Sequence, residues 1–147
     1  MIRRLLACLC LLAASSCGDF PRDPEGTLDR VRAERSFRVG LVAPLDSEPK
    51  VGALLGRIGK ASGASPRVEP GSTELLLHRL EQGELDLVVG GFEKKSPWAT
   101  RVTIGPPLRI EKQGKTEFHL APVMRNGENA WIALVEREAR EVAPETQ

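Results

Sequence analysis

Apolar positions along the chain switch between a spacing of two and a spacing of three to four, and the switches predict an order of elements. Thr27 is placed to cap a short helix running to about Glu34, with Leu28 and Val31 facing inward. Ser36 to Ala43 alternates Phe37, Val39 and Leu41 against Arg38 and Gly40, which predicts a first strand. Val51, Leu54, Leu55 and Ile58 recur at i, i+3, i+4 and i+7, the stripe of an amphipathic helix over 49–62 closed by Gly63. Arg67 to Glu69 reads as a short second strand. Ser72 is an N-cap candidate for a helix over 73–82 that buries Leu76, Leu77 and Leu80, and Gly83 stands where a left-handed cap belongs. Leu85 to Val89 is almost continuously apolar, the mark of a strand covered on both faces.

Beyond Gly90 and Gly91 the pattern loosens. Arg101 to Ile104 and Leu108 to Glu111 read as strand pieces around Pro106 and Pro107, and Thr116 to Ala121 pairs back across Gln113 and Gly114. A last helix opens at Asn126 or Gly127, with Trp131, Leu134 and Val135 inward and Glu136, Arg137, Glu138 and Arg140 on its polar face. The expected fold is α/β: a single three-layer lobe over 27–141, with a mostly parallel sheet flanked by helices. The tail 142–147 frays.

The first residues, MIRRLLACLCLLAASS, are an address. Arg3 and Arg4 precede an apolar run that ends in small residues, the layout of a secretory signal over 1–16. As a helix, Leu5 to Ala14 would reach about 15 Å, half of the roughly 30 Å that a bilayer core requires. The sequence Ala14-Ser15-Ser16-Cys17 resembles the lipobox of bacterial lipoproteins, which implies lipidation at Cys17. Ala14 stands where leucine is favoured, and ordinary cleavage nearby would instead leave Cys17 as a free thiol. Cys8 and Cys10 leave with the signal, so Cys17 would otherwise be an unpaired cysteine in an exported chain. Residues 17–26 then form a lipid-attached tether, extended by Pro21 and Pro24.

Composition narrows the function classes. The chain has 21 basic and 20 acidic residues; without the two arginines of the signal it carries 19 and 20, a net charge of −1. No strongly basic surface for nucleic acid follows, and 4% aromatic residues with no tyrosine give no stacking platform. His78 and His119 are the only histidines and lie far apart in sequence, so no histidine metal pair is expected. No nucleophile elbow, P-loop or paired-carboxylate motif is present. Neither a catalytic residue nor a cofactor is expected.

The stretch ELLLHRLEQGELDLVVGGFEKKSPWATR, Glu74 to Arg101, resembles the type 2 periplasmic solute-binding fold, and more narrowly the extracellular solute-binding proteins of polar amino-acid ABC transporters. Leu80, Gly83, Asp86, Gly90 and Gly91 occupy the family's pattern of helix, apolar strand and small residues that lead to its ligand cleft. The resemblance implies the fold of that family's first lobe. It also implies a role as the substrate-binding component of a transporter, on the periplasmic side of a bacterial membrane, with a small solute and an ABC permease as partners.

Three departures qualify it. The arginine that holds the ligand carboxylate in these proteins falls near Trp98 here, with Arg101 three residues late. Pro49-Lys50-Val51-Gly52 stands near the place of the Gly-Phe-x-x-Asp-Leu segment. Two lobes of about 100 residues each do not fit in the 131 positions that 147 less 16 leave, and the second is missing between Leu108 and Phe118.

The candidate ligand-binding residues are Ser72, Thr73, Gly90, Gly91, Phe92 and Trp98. Ser72 and Thr73 start a helix whose free N–H groups attract an anion, or form a plain cap. Gly90 and Gly91 bring backbone amides to a ligand, or mark a sharp strand exit. Trp98 contacts a ligand or partner, or caps the core. The expected function is weak binding of a small solute by a half-cleft. The alternative is an interaction or regulatory lipoprotein that uses the former cleft surface to dock a protein.

Overall fold

The computed structural model describes residues 23–42 and 48–143; the signal sequence, Cys17 and the last four residues lie outside them. The elements are α1 (Thr27–Glu34), β1 (Ser36–Val42), α2 (Pro49–Ser62), β2 (Ser65–Gly71), α3 (Thr73–Glu81), β3 (Leu87–Glu93), a 3-10 turn (Pro97–Thr100), β4 (Val102–Ile104), β5 (Arg109–Gln113), β6 (Thr116–Arg125) and α4 (Asn129–Arg140). One sheet runs β2-β1-β3-β6-β4, with β5 pairing another stretch of β6. β1 is parallel to β2 and β3, as the strand–helix spacing requires. β6 returns antiparallel to β3, β4 and β5, so the sheet is mixed, with its parallel part confined to β2, β1 and β3.

Each face of the sheet is covered, which makes the three layers. On one face, Val39, Leu41, Leu87, Val89, Leu120 and Met124 pack against Leu28 and Val31 of α1, Leu54 and Ile58 of α2, and Trp131 and Val135 of α4. Phe37 and Trp131 meet there with ring centroids 5.8 Å apart. On the other face, Val88, Phe92 and Val123 pack against Leu76, Leu77 and Leu80 of α3, and Trp98 and Val102 close the cluster. The expected inward stripes of all four helices are buried, and β3 lies at the centre of the sheet.

Several expectations shift. Helix α1 is capped by Gly26 rather than Thr27; its free N–H groups are taken by distant carboxylates, Asp23 bonding Leu28 N and Glu128 bonding Thr27 N, each at 3.0 Å. Asp23 also accepts from Ala130 N at the start of α4, so residues 23–26, read as the end of the tether, are bonded to the lobe. Strand β3 begins after Asp86 and runs through both glycines to Glu93, because the β6 ladder continues to pair it from Val88 to Glu93. Helix α4 starts at Asn129, after Gly127 at φ 91. Glu138 is buried rather than on a polar face, since Arg57 of α2 reaches it at 3.1 Å.

Asp86 is the single charge of the third strand's run. Its carboxylate is buried just ahead of β3 and accepts from Arg38 N at 2.7 Å, from the Arg38 guanidinium at 3.2 and 2.7 Å, and from Arg30. An unpaired buried carboxylate would cost several kcal/mol, of the order of 3–5 when its partner is removed. Pairing is what admits aspartate to this position.

Candidate functional site

In an open sheet with parallel strands, ligands gather at the carboxyl ends. Here that edge is formed by Val42, Gly71 and the middle of β3, with Val42 and Gly71 in register. A methyl group at Gly90 would come 2.7 Å from Val42 Cγ2 and 3.0 Å from Phe92 Cζ, so glycine is required for β3 to lie this close to β1. Gly91 is exposed and has open space on its side-chain face. Ser72 stands at the N-cap of α3 with extended backbone, but its hydroxyl makes no capping bond. Ser72, Thr73, Gly90 and Gly91 thus share one edge of the sheet, two of them exposed.

Phe92 and Trp98 are elsewhere. Both are buried in the cluster beneath α3, Phe92 at 5% and Trp98 at 9% exposure. Pro97 and Ser96 fold the loop into a 3-10 turn, with Ser96 Oγ accepting from Trp98 N, and this turns the indole inward. The His78 ring meets the indole edge-on at 5.3 Å, and the Arg101 guanidinium lies 4.6 Å over its face. Arg101 is committed to Glu81 through two bonds of 2.8 and 2.6 Å. The position that resembles the carboxylate-binding arginine therefore points into the core, and the nearest guanidinium is paired.

A polar cluster that the sequence reading did not single out stands at the same end of the sheet. Arg109 opens β5 opposite Leu120, which itself pairs Gly91. Its guanidinium bridges Glu48, at the N-cap of α2, and Glu111 at 2.5 and 2.8 Å. Lys50 Nζ donates to the Leu108 carbonyl at 2.7 Å. The contacts of Arg109 with Glu48 and of Lys50 with Leu108 join residues about sixty positions apart, and no local pattern announces them. Farther along, Glu93, Lys94, Lys95, Lys115, Thr116 and Glu117 line a shallow groove of about 350 Å³ beside the turn of the β5–β6 hairpin. His119 and Lys94 sit beside Glu117, at 2.6 and 3.3 Å, and hold its carboxyl below the usual range.

No protein-family model and no curated protein matches the chain. Solved structures do. The chain covers 98% of the arginine-bound form of domain 1 from TmArgBP, the arginine-binding protein of T. maritima, using 77% of its own length at TM-score 0.65 and 16% identity. It is similar to AbpA of Streptococcus pneumoniae, an amino-acid ABC transporter substrate-binding protein bound to L-arginine, with 78% of this chain and 91% of that one matched at TM-score 0.65 and 10% identity. An ancestral cyclohexadienyl dehydratase is matched over 78% of this chain and 89% of its own, at TM-score 0.63 and 9% identity. The chain has the fold of domain 1 of solute-binding proteins. At these identities the likeness carries the fold alone, and that fold serves both binding proteins and an enzyme.

Proposed function

We propose that this chain is an exported lipoprotein, held by Cys17 on the periplasmic side of a bacterial membrane. In this reading its one solute-binding-type lobe offers a half-cleft to a small solute, as a reduced substrate-binding component beside an ABC permease, without catalysis. The observation that carries the reading is the match to an isolated domain 1 over 98% of its length. That domain was solved in an arginine-bound form, so a lone lobe of this fold can hold a solute. In this reading the β5–β6 hairpin takes the place of a second lobe.

The groups offered to a solute are the Gly90 and Gly91 backbone and the Ser72–Thr73 helix start, while Phe92 and Trp98 stay in the core. Such a site is weak. A free amino acid presents a carboxylate that asks for a bidentate guanidinium, and both Trp98 and Arg101 are engaged elsewhere. Helix-end attraction is about 0.3–1 kcal/mol at an exposed site, far from the roughly −8 kcal/mol of micromolar binding. A second reading, docking of a protein on this edge, is favoured by the pairing of Arg109 with Glu48 and Glu111, which leaves its guanidinium bonded to two carboxylates rather than open to that of a solute.

Titration of the mature protein with arginine and a panel of other amino acids, followed by backbone amide shifts, tests the reading. Saturable shifts of Gly90, Gly91, Ser72 and Thr73 at millimolar concentration are expected. Micromolar affinity would mean a complete amino-acid site, and silence at these amides would leave the docking reading.

A further inference from the structure

The opposite, amino edge of the sheet encloses a pocket of about 290 Å³ whose walls include Arg30, Arg38, Gly83, Asp86, Arg125 and Trp131. The buried Asp86 carboxylate holds the Arg38 and Arg30 guanidiniums together. One carboxylate serves two guanidiniums, and among the described residues the other acid bonded to either is the exposed Glu34, 3.3 Å from Arg30. Glu128 also faces the pocket, but its two oxygens are taken by the N–H groups of Glu25 and Thr27. Arg125 makes a single bond, at 3.3 Å, to the exposed Glu25. A guanidinium has five N–H donors, and among the described residues none of these three spends more than two on protein. Gly83, at φ 74, lets Arg125 lie against the turn after α3: a methyl group there would stand 2.9 Å from Nη1.

We propose that this pocket is an anion site in which Arg30, Arg38 and Arg125 take a phosphate group. Guanidinium forks match phosphate oxygens two at a time. The three guanidiniums offer more N–H donors than the pocket's three carboxylates, Asp86, Glu128 and Glu25, take from them, and Asp86 fixes two of the forks in place beforehand, so little ordering remains to oppose binding. The phosphate comes either from a free phosphorylated solute or from a lipid headgroup. The chain enters the lobe at this same edge, since Asp23 caps both α1 and α4. On the reading that Cys17 carries lipid, the six residues 17–22 put that entry within about 20 Å of the bilayer. The anion site itself stands independently of that reading and of the solute edge opposite.

The test uses the full chain carrying Cys17→Ser, so that no lipid anchor can hold it to vesicles. Titration with inorganic phosphate at constant ionic strength should give saturable shifts of the Gly83 amide and of the Arg38 and Arg125 Nε–H signals. Arg125→Gln removes a side chain whose one bond among the described residues is to the exposed Glu25; it should weaken binding roughly tenfold, and the loss of its charge beside Glu128 is read separately in the melting temperature. Arg30→Gln serves as the second variant. Sedimentation with phosphatidylglycerol vesicles, against phosphatidylcholine alone, assigns the source: retention competed by phosphate marks a lipid headgroup, and phosphate shifts without retention mark a free anion. A response to phosphate no different from that to chloride, or one unchanged in both variants, overturns the site.

Discussion

Glu128 shows how one side chain can fasten a lobe. It is 2% exposed, and its carboxylate accepts the N–H groups of Glu25 and Thr27 across about a hundred residues of sequence. Burial pushes its carboxyl up, but hydrogen bonding from Thr27 and from the Thr27 and Glu25 backbone, with Arg125 nearby, outweighs this and holds it below the usual 4.5. A folded-state value below the unfolded one means stability that is fully present above about pH 4.5. That stability is lost as pH falls through the folded value. Glu128→Gln should therefore cost about 2 kcal/mol at neutral pH, and the gap to wild type should narrow in melts run between pH 5 and 3. A gap that stays constant over that range would show that the charge contributes nothing.

Between elements, α3 fits closely onto the parallel strands. A methyl group on Gly40 of β1 would sit 2.8 Å from Leu76 Cδ2, and one on Gly71 of β2 would sit 2.9 Å from the same atom. Two glycines thus form the recess into which a fully buried leucine drops, and α3 lies close to the sheet because of it. Gly40→Ala should destabilise by about 1–3 kcal/mol through overpacking, and Leu76→Ala by about 2–5 kcal/mol through the cavity it leaves. The double variant should cost about 1 kcal/mol or more less than the two together, because each change relieves the other. Urea unfolding of the four proteins measures this, and strict additivity would mean that the two side chains do not share the recess.

At the scale of the molecule, every chain segment that reaches the amino edge is tied there. Asp23 bonds the first turns of α1 and α4, Glu128 bonds Glu25 and Thr27, and Arg125 bonds Glu25. Among the described residues no helix is long and apolar enough to cross a membrane. Cys17→Ser should move the protein from the membrane fraction to the soluble one, since acyl chains contribute about 0.8 kcal/mol per buried methylene. A wild-type protein that is soluble, with a mature N-terminus other than Cys17, would overturn the anchor.

Much of this lobe was written locally. The i, i+3, i+4 stripes of Val51 to Ile58 and Leu76 to Leu80, and the apolar run ending at Val89, depend only on neighbours within two turns of chain. They placed the helices and the parallel strands. The glycine pattern from Gly83 to Gly91 carried the likeness to a solute-binding lobe, and the fold is that of such a lobe. Tertiary structure decided what depends on partners far along the chain. It carried β3 past its glycines to pair β6, turned Trp98 into the core, and buried Glu138 beside Arg57. It set Arg109 between Glu48 and Glu111 and gathered Arg30 and Arg38 around Asp86. Local backbone preference acts over a few residues, whereas a charge is admitted to a site only once its distant partner has arrived.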